Sequence, residues 1–413
     1  MVPSPRRGRD IHELHRTATP LELLFDLTFV VAIALAAAEL HHGLAEHHVF
    51  SAYAGFLGAF FGIWWAWVNY TWYASAYDND DIAFRLLTMV QMVGVLVFAV
   101  GIPGIFDGQW EGVIGGYVLM RLALVVQWLL AAHGDRQRRR TCLRYAIGVS
   151  IVQVLWVAWL WVPDAWSGIA LAVFVVGELL VPGWAERAER TPWHPHHIAE
   201  RFGLLVIITL GECVLGAANA IASLWRVDGW SGDLALVGMA SMLLILCLWW
   251  MYFQLPSGAA LQRHREWAFA WGYGHFFLFL GLAAMGAGLE VVADTLNPGV
   301  VTPGAAAPPI YAILVVALPE ALFIICLWLL YGGITRSVRS RLPIAVLCVA
   351  CIAVVPMAMM AGLPLPWALL LLSLGPLLVI GHHVRATARP ADTLQSPESN
   401  QNQHRRHPHG DSS

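Results

Sequence analysis

Apolar residues run along this chain in long blocks, separated by short polar or Gly- and Pro-rich connections. A window of about 19 residues predicts twelve helices, near 21–40, 51–73, 84–103, 113–132, 143–162, 166–183, 200–222, 234–254, 266–290, 309–331, 342–361 and 366–384. Each is close to the roughly 20 residues that a bilayer crossing requires. Helices are expected because the bilayer core offers no water to backbone polar groups, and no barrel-type alternation is visible. Composition agrees. Of 413 residues 58% are hydrophobic and only 12% charged, with a mean hydropathy of +0.64. Too few charges remain to cover such a surplus in water, so a soluble globule, a disordered chain and a fibrous fold are all excluded. The expected fold class is an all-α polytopic membrane protein.

Charge adds an orientation. All 24 basic residues are Arg, and they collect in alternate connections: Arg136, Arg138, Arg139, Arg140 and Arg144, then Arg187 and Arg190, Arg263 and Arg265, and Arg336, Arg339 and Arg341. The other connections carry only Arg226. Positive residues stay inside, so both termini are expected in the cytoplasm. Arg6, Arg7, Arg9 and Arg16 precede a first span with no cleavage site after it, which reads as retained. The net charge of −3 gives no reason to expect nucleic acid. Six Cys in or beside apolar segments read as packing residues, not as a disulfide framework.

The two halves echo each other. "PLELLFDLTFVVAIAL" is answered by "IAERFGLLVIITLGE", "IWWAWVNYTWY" by "LWWMYFQL", and "YVLMRLALVVQWLLAAHGDR" by "YAILVVALPEALFIICLWLLYGGITR". The tryptophans would also suit a membrane-interface belt. Six helices per copy would insert both copies the same way up, as two parallel repeats about the membrane normal with a central site between them. The expected organisation is a cytoplasmic N-terminal tail at 1–19, a first repeat at 20–185, a linker at 186–198, a second repeat at 199–385 and a disordered tail at 386–413.

"TPLELLFDLTFVVAI", "WWAWVNYTWYASAYDNDD", "FRLLTMVQMVG", "YVLMR", "HIAERFGLLVIITLGE" and "WWMYF", in this order, resemble the bacterial low temperature requirement A family. The resemblance runs from about Thr17 to the last helix. It implies a multi-pass protein of the bacterial cytoplasmic membrane associated with growth in the cold, and it supplies no settled activity. Its motif positions here are Glu22, Phe25, Asp26, Arg85, Arg121, Glu200, Arg201 and Glu212. Cys213 departs from the pattern, where the family more often has Ser.

Ionisable residues inside spans cost about 2.5–3.5 kcal/mol each at a helix centre, so they default to function with a partner expected. Counting the helical rise places Arg121, Glu212, Glu320 and His275 near the midplane, with Glu178 somewhat nearer the cytoplasm. A midplane Arg needs a carboxylate, water or anion, and Glu212 and Glu320 are at matching depth. One cation cannot pair every acid, and an unpaired, desolvated acid can carry a proton. Glu22 and Asp26 share one face of the first helix, at i and i+4. Arg85, Glu200 and Arg201 lie at the same inner level, forming either a gate or ion-binding cluster or an ion-pair network that sets helix register. Asp78, Asp80 and Asp81 read as a solvated loop. His275 is either a proton relay or a packing histidine. His41, His42, His47 and His48 with Glu39 and Glu46, and separately His194, His196 and His197, lack a tight metal spacing, so no metal is expected. Gly55, Gly58 and Gly62 read as close-packing positions. No hydrolase elbow, phosphate-binding loop, paired-Cys metal site or redox CxxC is present, so neither a cofactor nor a catalytic residue is expected. The partners expected are the lipid bilayer and a small solute or ion, with oligomeric state open.

Three functions fit. The first, adopted here, is a proton- or ion-coupled secondary transporter or ion pathway using Asp26, Arg121, Glu212, Glu320 and His275. The second is an intramembrane enzyme acting on lipid or isoprenoid substrates near Asp26, Glu22 and Arg85. The third is a non-catalytic membrane stress protein.

Overall fold

The computed structural model describes residues 8–11, 13, 16–296 and 307–388. Arg6, Arg7 and the tail beyond residue 388 lie outside them. The helices are α1 (Pro20–Ala45), α2 (Val49–Tyr77), α3 (Ile82–Phe106), α4 (Glu111–Gly134), α5 (Arg139–Trp159), α6 (Asp164–Ala185), α7 (Pro195–Asp228), α8 (Gly232–Phe253), α9 (Ser257–Arg263), α10 (Ala268–Leu296), α11 (Pro309–Ile334), α12 (Val338–Met360), α13 (Leu365–Leu372) and α14 (Leu374–Ala388). Among the described residues there is no strand, and twelve crossings are long and apolar enough to span a membrane. The short α9 extends the eighth crossing, and α13 and α14 together make the twelfth. The break between them falls where Pro376 cannot donate to the preceding turn.

Local chemistry starts the helices. A capping box opens α1: Glu22 N donates to Thr19 Oγ1 at 3.3 Å, and Thr19 N donates to Glu22 Oε2 at 2.7 Å. Asp81 caps α3 by accepting from Phe84 N at 2.7 Å. His194 caps α7, and Pro195 fills its first position, where the missing N–H costs nothing. That helix therefore begins within the stretch read as linker.

Even-numbered crossings return the chain to the side on which α1 begins, here called the terminal face; the opposite side is the far face. In the first half, α1 packs on α2 and α3, α3 on α4, α4 on α5 and α5 on α6. In the second, α7 packs on α8 and α10, α10 on α11, α11 on α12, and α12 on α13 and α14. The halves meet where α1 and α2 pack on α7 and α10. Helix α10 is the most enclosed crossing, whereas α6 and α12 are peripheral. Leu23, Leu27, Val93, Leu122, Val173 and Leu246 belong to a belt of exposed apolar side chains suited to lipid. Trp64 and Trp65 are buried, but Trp249 and Trp250 are half exposed, so the echoed tryptophan pairs occupy unlike surroundings. Gly55, Gly58 and Gly62 face the rings of Phe106, Trp110 and Phe98. All six cysteines are free.

Candidate functional site

Most ionisable residues inside the bundle gather in three polar clusters, and two acids, Glu212 and Glu320, have no ion pair among the described residues.

At the terminal face, Glu22 and Asp26 point from one face of α1 toward α7. Asp26 Oδ1 accepts from Arg201 Nη2 at 2.6 Å and from Trp67 Nε1 at 2.7 Å. Glu22 Oε1 lies 3.1 Å from His197 Nε2 and 3.6 Å from Arg16 Nη2. Arg16 Nη2 is also 3.6 Å from Asp78 Oδ2. All six of these ionisable side chains are buried. The Arg201 guanidinium lies over the rings of Trp67 and Tyr70, and Tyr70 stacks on Phe25. Three carboxyls face two guanidiniums, so a proton on His197 or on a carboxyl would balance the cluster. Asp78, in the connection after α2, is pushed up to about 6 by burial and then by the Glu22 charge. The hydrogen bond from Asp80 N and the nearby Arg16 and Arg9 oppose that shift.

Two expected members stand apart. Arg85 is exposed and pairs with Asp80 at 2.6 Å, because it leaves α3 on the solvent side of the cap. Glu200 accepts from Ala18 N at 3.3 Å and is half-buried. Conversely, Asp78 is not solvated as expected: the segment around Arg9 and Arg16 folds over it, with Arg9 Nη1 donating to Asp78 O at 2.9 Å.

The second cluster lies inside the first half. Arg121 Nη2 donates to Glu178 Oε2 at 3.0 Å, as does Trp65 Nε1 at 2.8 Å. Glu178 Oε1 accepts from Tyr117 Oη at 2.8 Å and from Gln153 Nε2 and Trp156 Nε1, each at 3.3 Å. The expected grouping of Arg121 with Glu212 and Glu320 is thus corrected: among the described residues its ion pair is with Glu178. Counted along the helices, Arg121 lies about 15 Å and Glu178 about 21 Å from the far-face ends of α4 and α6. A long Arg side chain closes that gap, which a comparison of backbone depths overlooks. Above the cluster, an apolar groove of about 790 Å³ opens at the far face, lined by Gly58, Gly62, Phe98, Tyr117 and Trp156 among others.

The third cluster joins the halves at the far face. His41 Nε2 lies 2.7 Å from Asp294 Oδ2, its Nδ1 3.2 Å from Glu290 Oε2, and Asn219 Nδ2 donates to Glu290 Oε1 at 2.8 Å. Glu212, mostly buried on α7, lies between this cluster and Arg201; no ion pair involves it among the described residues, and Glu290 is the charge nearest in effect. His42 and His47 take no part in these contacts, and His48 meets Glu46 at the surface. Among the described residues, no group of three or more His, Cys, Asp or Glu is arranged to hold a metal.

His275 is enclosed, with Nδ1 2.7 Å from Trp271 O and Nε2 3.2 Å from Tyr252 Oη. Both ring nitrogens are engaged. Glu320 is fully buried, and neither of its oxygens has a hydrogen-bond partner among the described residues.

The motifs that carry these clusters fall within residues 17–376, which match the family model described as bacterial low temperature requirement A protein (LtrA). The chain belongs to the LtrA family. A curated relative from Rhizobium meliloti (strain 1021), the uncharacterized protein RA0937, is 26% identical over 261 residues, covering 59% of this chain and 60% of the relative. The chain thus spans about three-fifths of the length of that relative. No solved structure matches. Within this LtrA chain, Cys213 follows Glu212 on α7. Its Sγ donates to Leu282 O at 3.1 Å, tying α7 to α10 as a hydroxyl would.

Arg16, His197, Trp67 and Trp65 escaped sequence reasoning as partners. The cue for the tryptophans was present: indoles flanking Ala66 in mid-helix each bring a donor that needs an acceptor when buried.

Proposed function

We propose that this LtrA-family membrane protein is a proton- or ion-coupled secondary transporter, or an ion pathway, conducting between its two six-helix halves past Glu212. The observation that carries this reading is that ionisable contacts cross between the halves at both faces. Asp26–Arg201 and Glu22–His197 join them at the terminal face, and His41 joins Glu290 and Asp294 at the far face. Arg201 and Asn219 are 18 residues apart on α7, a rise of about 27 Å, close to the roughly 30 Å of a bilayer core. Glu212 sits between these levels, about 16 Å along the helix from Arg201. Polar contacts at each end of an interface, with an acid between them that has no ion pair among the described residues, suit an alternating-access pathway.

We read the halves as parallel repeats. The like order of helix neighbours favours that reading, and the unlike surroundings of the tryptophan pairs count against it. By the positive-inside rule, the Arg-rich connections favour a cytoplasmic terminal face, with both termini inside a bacterial cell.

The test is flux in proteoliposomes holding a pH dye, under imposed Na⁺, K⁺ or proton gradients. Intact protein should conduct under one of them, and Glu212→Gln and Asp26→Asn should lose that flux while eluting as folded protein. No flux under any gradient, or undiminished flux in both variants, would overturn the proposal.

A further inference from the structure

The second half contains a carboxyl outside the contacts that join the halves. Glu320, near the middle of α11, is enclosed on all sides and without hydrogen bonds among the described residues. Glu178, by contrast, accepts five hydrogen bonds. An ionised carboxylate in Glu320's surroundings would lose its hydration and gain nothing in return, so the neutral acid is the form that such a site accommodates.

A cavity of about 290 Å³ opens at the terminal face between α8, α11, α12 and α14. It far exceeds the ~10–15 Å³ that one water needs, and Gln254, His382 and His383 make part of its wall polar. Three of its helices carry it toward Glu320 in register. Ile324 lines the cavity, and Glu320 is one turn deeper on the same face of α11. Met251 lines it on α8, and Cys247 is one turn deeper; Ile344 lines it on α12, and Cys348 is one turn deeper. Residues four apart share a helix face and differ by about 6 Å in depth. Those two thiols lie beside Glu320. On α14, Gly375, one turn deeper than the lining residue Val379, packs on Cys348 Sγ.

We propose that Glu320 is a proton-binding carboxyl served from the terminal face through this vestibule. The other helices packed on α11 leave it the neutral acid. His275, Glu290 and Asp294 of α10 are engaged by Tyr252, by Asn219 and His41, and by His41. Helix α13 has no ionisable residue, and Arg263 of α9 belongs to the terminal face. A proton leaves Glu320 only when water from the vestibule reaches it, one turn beyond Ile324. The site lies within one half, so it does not rest on transport between the halves.

The test is labelling of the whole protein in liposomes with dicyclohexylcarbodiimide, read by peptide mass spectrometry. A protonated carboxyl adds across one C=N bond: its oxygen bonds to the central carbon and its proton passes to nitrogen. With no nucleophile at hand, the acyl group then migrates from oxygen to nitrogen, leaving a stable N-acylurea. The expected result is an adduct on Glu320, declining several-fold as pH is raised, absent in Glu320→Gln and retained in Glu320→Asp. Glu178 should stay unlabelled. Labelling of other carboxyls with none on Glu320, or an adduct equally abundant at every pH, would overturn the proposal. Neither result bears on the flux of the Glu212 and Asp26 variants, so the two readings fail separately.

Discussion

Glu178 and Glu320 are chemically alike and structurally opposite. One is tied to a guanidinium, two indoles, a phenol and an amide; the other touches no donor among the described residues. Removing one partner of a buried pair strands the other charge, at a cost of about 3–5 kcal/mol. Arg121→Ala should therefore lower the thermal unfolding midpoint in detergent strongly, and Arg121→Ala/Glu178→Gln should recover part of the loss. Arg85→Ala, which removes an exposed pair, should leave the midpoint unchanged. Equal effects at Arg121 and Arg85 would contradict the assigned partners. That Arg121 needs a partner follows from its place in an apolar run. Which acid supplies it does not, because backbone depth differs from the reach of the side chain.

At the scale of helices, α7 and α10 meet backbone to backbone beside Glu212. A Cβ on Gly216 would lie 2.5 Å from Gly286 O, and a carbonyl in a helix cannot swing aside as a side chain can. Gly216→Ala should force the helices apart, at a cost of about 1–3 kcal/mol, seen as a lowered midpoint. Gly211→Ala, on the same helix with nothing within 4 Å of its Cβ, should be neutral or mildly stabilising, since Ala favours the helix by up to about 1 kcal/mol. The reverse order would mean that this contact is not close-packed. The apolar blocks predicted the helices well, and caps such as Thr19 with Glu22 explain where several begin. Pairing was less legible, because the face toward lipid and the one toward protein are both apolar, so hydrophobicity does not tell them apart.

At the scale of the whole molecule, the segment before α1 closes the terminal face: Arg9 N donates to Ala76 O at 2.9 Å, and Arg16 is buried between Glu22 and Asp78. Asp78 is raised from 3.8 to about 6 in the fold. A raised acid binds its proton more tightly when folded, so its contribution is fullest below about 4 and is lost as pH rises toward about 6. Docking of the segment should loosen over that window, read as faster hydrogen exchange at residues 9–18 after correction for intrinsic rates. Asp78→Asn should flatten the dependence. A segment that tightens as pH rises would show that Arg16, not burial, governs Asp78.

By itself, the sequence determined that this is an all-helical membrane protein with twelve crossings and which ionisable residues enter them. Hydrophobic length and the obligation to satisfy backbone groups are local properties of each segment. Family membership was equally legible, since motifs are strings of residues. Tertiary structure alone decided that Arg121 belongs with Glu178, that Arg16 and His197 complete the cluster of Asp26 and Arg201, that Arg85 stands outside it, and that Glu320 has no hydrogen-bond partner among the described residues. Those outcomes depend on which helices become neighbours and how far side chains reach between them, and neither is encoded by position along a single helix.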